Sequence, residues 1–200
     1  MAPKTSKQFE EIRQRSMQKI EAAALELFAH KGFHNTSISQ IAKAAGVSKG
    51  LLYNYYENKE DLLYTIVDHA MQDGGEAIEQ FLHSPDFTPL QKISAVVEGS
   101  IQMVRADPHY WKLMTSLSFQ EDVMENLKDR LMEKKDEMIQ VVTEIFRQMG
   151  FQDPLKEAYL FGALLDGVML HFISLGDSYP LEEMKEYILS KYKKHYDEQA

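Results

Sequence analysis

Apolar residues recur at three- and four-residue spacing along most of this chain, and no segment alternates apolar and polar residues over the length of a strand. This spacing places apolar side chains on one face of an α-helix. Gly, Asp-Pro pairs and Ser or Thr residues separate the helical stretches, as expected at helix ends. Ten Gly and six Pro in 200 residues leave little material for turn-rich β structure. The sequence therefore predicts an all-α protein of about nine helices.

The first two helices have clear ends. An apolar stripe that starts near residue 20 predicts a helix that stops at Gly32. A second helix is predicted over residues 38–45, because Ser37 and Gln40 have the spacing of a capping box and Gly46 follows the last apolar position. Both helices are thus defined by their caps as well as by their periodicity.

A third, short helix follows almost at once. Ser48 is placed to cap it, and it cannot extend beyond about Tyr56 because Asn58 caps a fourth helix. We expect the fourth helix to be followed by Gly74-Gly75 and a loop marked by Pro85 and Pro89. The second and third helices meet at a short turn that contains glycine, which is the arrangement of a helix-turn-helix. Such a unit places its second helix in the major groove of DNA.

Charge is distributed unevenly along the chain. Residues 1–59 hold seven Lys and two Arg against five Glu, while the remainder holds 13 basic and 26 acidic residues, for a total formal charge of −9. A basic segment can approach a polyanion, whereas an acidic one is repelled by it. The asymmetry predicts a three-helix nucleic-acid-binding domain at residues 1–57 and a second domain at residues 58–200. A chance imbalance on a solvated surface is the alternative.

The C-terminal part contains one unusually apolar stretch, at residues 158–175. Its length reaches the lower limit of a membrane span, but Asp166 and His171 would be costly in a bilayer, so we expect no membrane contact. A helix that is apolar on two faces can pack on its own domain and on a symmetry-related copy. We therefore expect a homodimer formed by this helix and the one that begins near Leu181. A fully internal helix of a monomer is the alternative.

A longer match supports the DNA-binding interpretation. Residues 36–63 read TSISQIAKAAGVSKGLLYNYYENKEDLL, and residues 24–33 read ALELFAHKGF. The first segment closely resembles the DNA-binding signature of the TetR family of transcriptional regulators, and the second is similar to the end of that family's first helix. The remaining two thirds of the chain resembles the family in length and helical plan. The resemblance implies a ligand-responsive regulator, most often a repressor, that binds a palindromic DNA operator as a dimer.

The resemblance also implies roles for individual residues. Hydroxyl groups at helix starts and on tyrosines can hold phosphates, lysines can pair with phosphates, and a glycine permits close approach to the duplex. The expected contacts are Thr36, Ser37, Ser48, Lys49, Gly50, Tyr53, Asn54, Tyr55 and Lys59. Asn54 is our choice for reading a base, because its amide can pair with adenine, although a solvent-facing Asn is the alternative. Tyr56 stands where the family more often has Phe, so its ring is expected in the core.

An effector site is expected in the C-terminal domain. A small, largely apolar ligand would bind there and lower operator affinity through the fourth helix. The candidate lining is Trp111, Met114, Phe119, His171 and Phe172, with His171 as a possible polar anchor. Ordinary packing of the core is the alternative for this aromatic and methionine-rich set.

Several other functions are disfavoured. The chain has no Cys, which excludes thiolate metal sites and cysteine nucleophiles. His30 and His34 have the spacing of a helical metal pair, but Gly32 ends the helix between them, so neither a metal nor another cofactor is expected. Motifs of hydrolases and nucleotide-binding enzymes are missing, and so is an apolar secretion signal, which points to a non-enzyme in the cytoplasm. The competing function is a helical carrier of small molecules, or an adaptor, without DNA binding.

Overall fold

The computed structural model describes residues 6–199, with side-chain detail except at residues 6, 71–77, 79, 124, 126, 130 and 134. Over residues 6–199 the backbone forms α-helices and one 3₁₀ turn, without a strand. The predicted all-α fold is confirmed. The helices are α1 (Ser6–Lys31), α2 (Ile38–Ala45), α3 (Lys49–Tyr53), α4 (Lys59–His83), α5 (Pro89–Ala106), α6 (Pro108–Leu117), α7 (Glu121–Gln148), α8 (Pro154–Leu175) and α9 (Leu181–Gln199), with the 3₁₀ turn at Gly176–Ser178.

The helix caps explain most of these boundaries. Ser37 and Gln40 form the predicted capping box at the start of α2, and Gly46 ends that helix with φ of +68°, a conformation that favours glycine. Ser48 accepts a hydrogen bond from the backbone N–H of Leu51 and so caps α3. Local chemistry alone therefore delimits the two helices of the turn.

Two helices differ from their predicted extents. α1 begins at Ser6, well before the apolar stripe, since its first turns are polar and exposed and leave no periodicity to detect. Gly74 and Gly75 lie within α4 and do not end it. Glycine costs a helix about 1 kcal/mol relative to alanine, which weakens a helix but does not terminate it. The chain instead leaves α4 after His83.

The chain divides into two compact units, Met1–Met71 and Gln72–Ala200. The division falls within α4, whereas the sequence placed a boundary before this helix. Four apolar residues at the start of α4 belong to the core of the first unit: Leu62, Leu63, Ile66 and Val67. Periodicity shows that these residues are buried but not against which partner, so the sequence could not locate this division.

In the first unit, α2 packs on α1 and α3 packs on α2. The core of this unit contains aromatic rings, and those of Phe28 and Phe33 are in contact at a centroid distance of 5.1 Å. Tyr56 is buried, as expected. Burial of these large side chains supplies most of the stabilisation available to so small a unit.

The second unit is built around α5, which packs against α6, α7, α8 and α9. Its core contains an aromatic group in which Phe146 contacts Phe151, Phe161 and Tyr192 at centroid distances of 5.1 to 5.5 Å. Asp107 caps α6 as predicted by accepting a hydrogen bond from the N–H of Tyr110. Asp153 precedes α8 but pairs with Lys156 and makes no cap hydrogen bond.

A partly buried polar contact joins three segments of the first unit. The Tyr56 hydroxyl donates to Glu21 on α1 at 2.6 Å, and Nδ1 of His69 on α4 lies 3.0 Å from the other carboxylate oxygen. Burial first, and then the hydrogen bond to Glu21, raise the pKa of Tyr56 well above its usual range. The hydroxyl therefore stays protonated and keeps its role as a donor.

We expect Tyr56→Phe to lower the free energy of unfolding by about 1–2 kcal/mol, because Glu21 loses a partner in a half-buried site. Urea unfolding of the full chain, followed by far-ultraviolet circular dichroism, measures the change. Tyr53→Phe is the matched control, since the Tyr53 side chain is exposed. Equal losses in the two variants would show that the hydroxyl of Tyr56 contributes nothing specific.

Candidate nucleic-acid interface and effector cavity

The α2–turn–α3 segment forms the predicted helix-turn-helix within the first unit. The backbone N–H of Val47 donates to the carbonyl of Ala42 and that of Gly46 to the carbonyl of Lys43, which closes the end of α2 and directs the chain into α3. Leu52 is fully buried, so its side of α3 faces the core of the unit. The turn and this buried side chain together fix which side of α3 faces outward.

The serines at the helix starts remain accessible. Ser37 and Ser48 are exposed, and each side-chain oxygen accepts a hydrogen bond from its own helix. Each hydroxyl keeps its proton for an outside acceptor such as a phosphate oxygen. Both residues therefore have the capacity that the sequence analysis assigned to them.

Thr36 does not have this capacity. It is 2% exposed, and its hydroxyl lies 2.9 Å from the carbonyl oxygen of Gly32 and 3.3 Å from that of Leu27. The Thr36 hydroxyl is therefore not available for the predicted phosphate contact in the free chain, because its donor already serves these carbonyl oxygens. Sequence reasoning missed this because a threonine before a helix start serves equally well as an outward-facing phosphate ligand or as a cap of the preceding helix.

The outward face of α3 carries four of the predicted contacts. Lys49, Gly50, Tyr53 and Asn54 are all exposed. The ammonium of Lys49 lies 5.7 Å from the centre of the Tyr53 ring, a cation–π distance that keeps charge and aromatic surface on one patch. We call these four residues the α3 face. It offers a cation, a phenol and an amide to one surface.

Gly50 is not required by the fold. Its φ is not positive, and a Cβ atom added there would meet nothing within 4 Å. A glycine in a helix is unfavourable compared with alanine, so the packing of this unit does not account for it. A backbone without a side chain on an exposed helix face permits the close approach of an outside partner.

Tyr55 and Lys59 flank this face and are half-buried. The guanidinium of Arg13 on α1 lies 6.0 Å from the centre of the Tyr55 ring, which brings a second cation beside the turn. Sequence reasoning missed Arg13 because it precedes the predicted start of α1. Its charge and the aromatic neighbour make it a further candidate for a phosphate contact.

Lys59 has a structural role in addition to its predicted one. Its ammonium donates to the carbonyl oxygen of Phe33 at 2.8 Å and lies 4.2 Å from the centre of the Phe33 ring. An ammonium has three N–H donors, so donors remain for a phosphate. The side chain is thereby held at the start of α4 in one place.

The second unit contains a cavity of about 350 Å³. Three predicted lining residues are found there, namely Trp111, Met114 and Phe119, and Phe119 at the rim is 85% exposed. Residues of α6 and the turn after it form one wall and residues of α8 the other. The lining is Trp111, Met114, Thr115, Ser118, Phe119, Asp166, Gly167, Met169, Leu170 and Ile173.

His171 and Phe172, also predicted to line the effector site, do not line this cavity. His171 is exposed and contacts Tyr179 at a centroid distance of 5.6 Å, while Phe172 packs against the core. The α8 residues that do line the cavity include positions 166, 169, 170 and 173, the spacing of a single helix face. Residues 171 and 172 lie off that face.

The outer side of α8 is apolar and exposed. The stretch 154–178 is long and apolar enough, by length and composition, to cross a membrane, and it is the one such helix among the described residues. It contains charged residues in its first turns and at Asp166. Large apolar side chains exposed on α8 are Leu155, Tyr159, Leu160, Leu170 and Leu175.

The described part of the chain contains no candidate metal site. Within residues 6–199, no group of three or more His, Asp or Glu side chains is arranged to hold an ion. His30 lies in the last turn of α1 and His34 beyond Gly32, so the two do not share a helix.

Comparison with known proteins identifies the N-terminal segment. Residues 20–65 match the family of bacterial regulatory proteins of the tetR type. This region covers the end of α1, all of α2 and α3, and the start of α4. It therefore contains every predicted DNA contact, including Thr36.

Two curated relatives extend the match. The fatty acid metabolism regulator protein of Bacillus subtilis is 32% identical over 113 residues, which are 56% of this chain and 57% of that protein. BetI, an HTH-type transcriptional regulator of Escherichia coli, is 27% identical over 174 residues, which are 85% of this chain and 87% of BetI.

Solved structures agree in fold. FadR, a fatty acid degradation regulator from Bacillus halodurans, gives a TM-score of 0.76 at 21% identity, covering 88% of this chain and 94% of that one. A regulator from Saccharomonospora viridis, solved with choline, gives 0.76 at 19% identity, covering 93% and 97%. At such identities the likeness establishes the fold of the chain.

We expect Gly50→Ala to leave the thermal midpoint unchanged or raise it, because helix propensity improves and the methyl group has space. The same methyl group should weaken binding to duplex DNA from upstream of the gene by about tenfold or more, through loss of close contacts. Fluorescence anisotropy measures the affinity. Gly99→Ala on α5 also adds a methyl group to open space and serves as the control. Full affinity in the Gly50 variant would refute close approach at this position.

Proposed function

We propose that this chain, which matches the TetR family of bacterial transcriptional regulators over residues 20–65, is a repressor. It would bind a near-palindromic operator as a homodimer and leave it when a small ligand binds. The α3 face carries this proposal, because Lys49, Gly50 and Tyr53 are exposed on a helix whose inner side is anchored by Leu52. A helix presented in this way fits the major groove.

The side chains divide into two groups by chemistry. Lys49, Tyr53, Ser37 and Ser48 offer donors to phosphate oxygens, which set affinity and orientation. Asn54 lies just after α3 and is exposed, and its amide can pair with the N6 and N7 atoms of adenine. In this proposal Asn54 supplies sequence preference, and the other residues position the helix.

Symmetry accounts for the operator. Two copies related by a two-fold axis present two α3 faces, which require equivalent half-sites one or more helical turns apart. The exposed apolar side of α8, with Tyr187 of α9 also exposed, is the surface that we assign to the contact between copies. Apolar side chains grouped on one exposed helix favour a contact with another protein, and we assign a second copy to it.

The ligand would act from the second unit through α4. This helix contributes Leu62 and Leu63 to the first unit and Leu82 to the core of the second. Ligand binding that favours one arrangement of the second core can thus change operator affinity, and by linkage DNA must weaken ligand binding by the same factor. Such a regulator works in the cytoplasm, where bacterial DNA lies.

We expect Lys49→Ala to weaken binding to all duplex sequences and to reduce the slope of log affinity against log salt by about 0.9, the effect of one lost phosphate contact. A salt titration of binding to the upstream duplex measures both. Lys128→Ala removes the same charge from an exposed site on α7 and should change neither. An unaltered slope in the Lys49 variant, or no binding by the wild-type protein, would favour a carrier or adaptor without DNA binding.

We expect Leu160→Glu to yield monomers in sedimentation equilibrium with unchanged helical circular dichroism. Leu160 is 59% exposed in the single chain, so the fold tolerates the substitution, but a carboxylate buried between two copies costs about 3 kcal/mol or more. Met103→Glu, at a 41% exposed methionine of α5, is the control and should remain dimeric. Dimers of the Leu160 variant would move the interface away from α8.

A further inference from the structure

The cavity between α6 and α8 carries a charge that the apolar-ligand hypothesis does not explain. Among the described residues that line it, Asp166 is the one with an ionisable side chain. Its neighbours in the lining are aromatic or aliphatic, including Trp111, Phe119, Met169 and Ile173. Within the described side chains, Asp166 has no hydrogen bond or ion pair. Asp166 is exposed in the free chain, so water solvates its carboxylate there. A ligand that covers this carboxylate must replace that water with a positive or hydrogen-bond-donating group, because an unpaired buried charge is costly.

The surroundings of Asp166 indicate the sign of its partner. Partial burial raises the pKa of this carboxyl, and the charge of Lys135 on α7 opposes the rise. Lys135 acts at a distance and does not line the cavity. Among the described side chains, the charge of Asp166 is therefore incompletely compensated, and the residues from 60 onward are strongly acidic in total. A ligand that carries a negative group would be repelled here, and a cation would be attracted.

The aromatic residues favour the same partner. The indole of Trp111 presents a surface rich in π electrons, which attracts organic cations most strongly among the aromatic side chains. The cavity also offers Met114, Met169 and Ile173 to an alkyl group. Its volume of about 350 Å³ suits a small molecule. Carboxylate, indole and aliphatic wall together match a quaternary or protonated amine that bears a short apolar substituent.

We propose that the effector of this protein is a small organic cation held by Asp166 and Trp111, with its apolar part against the methionine and isoleucine side chains. This inference rests on the proposed function for the regulatory role of the ligand, whereas binding of the cation itself requires no DNA. It narrows the apolar ligand expected from the sequence to one with a positive charge. Asp166 takes the anchoring role that the sequence analysis assigned to His171.

Three probes with the same alkyl chain test the charge preference, namely hexyltrimethylammonium, hexanol and hexanoate. Isothermal titration calorimetry on the DNA-free full chain measures affinity, and emission of Trp111, the single tryptophan, reports binding at this cavity. We expect the cation to bind about tenfold or more tighter than hexanol, to bind tightest of the three, and to alter Trp111 emission. No binding of the cation, or equal or tighter binding of either other probe, would overturn the proposal.

Asp166→Asn is the decisive variant, because it keeps the shape of the side chain and removes its charge. We expect its affinity for hexyltrimethylammonium to fall about tenfold while its affinity for hexanol is unchanged. Asp177→Asn removes the same charge from an exposed site in the 3₁₀ turn and is the control. Unchanged cation affinity in the Asp166 variant, or an equal loss in the control, would overturn the assignment.

The proposed function is tested separately by binding of the ligand-free protein to the upstream duplex. Cation binding without DNA binding would leave the cavity assignment standing and refute the regulator. DNA binding without cation binding would refute the cavity assignment and leave the regulator standing.

Discussion

The turn that follows α1 is the constraint on which the DNA-binding unit depends. The Thr36 hydroxyl lies against the carbonyl oxygens of Gly32 and of Leu27 in α1. The Lys59 ammonium, at the start of α4, donates to the carbonyl oxygen of Phe33. These two contacts join the end of one helix to the beginning of another, with the helix-turn-helix between them in sequence. Polar groups that would otherwise be orphaned in a buried turn are satisfied.

The residues proposed to meet DNA are those that these contacts leave uncommitted. Thr36 is buried, and Lys59 makes a hydrogen bond within the unit and also has donors left for a phosphate. Gly50 has open space around it, and Lys49 is exposed on the same helix. Gly50 is the most informative, because the fold neither needs its flexibility nor lacks room for a side chain. Glycine is unfavourable in a helix, and nothing in this fold requires it at position 50. Its presence therefore points to a binding partner that approaches the helix closely.

In the second unit, different faces of one helix contact the core, the cavity and the solvent. α8 presents Phe161 and Leu165 to the core, Asp166 and Met169 to the cavity, and Tyr159 and Leu160 to the outside. These faces follow from the 3.6-residue period, which turns successive positions by about 100°. A ligand in the cavity and a second copy on the outer face would contact neighbouring strips of a single helix, which gives effector binding a direct route to the proposed dimer contact.

The sequence by itself determined the all-helical fold, the caps of α2, α3 and α6, and the segment that resembles the TetR DNA-binding signature, because periodicity, capping and this signature are local properties. It also identified Trp111, Met114 and Phe119 as cavity residues, since they cluster within one short segment. Tertiary structure alone decided that Thr36 faces inward, that α4 belongs partly to the first unit, and that Asp166 rather than His171 reaches the cavity. Each of these depends on which neighbouring helix lies against a given face, and that choice is made by packing between residues distant in the chain.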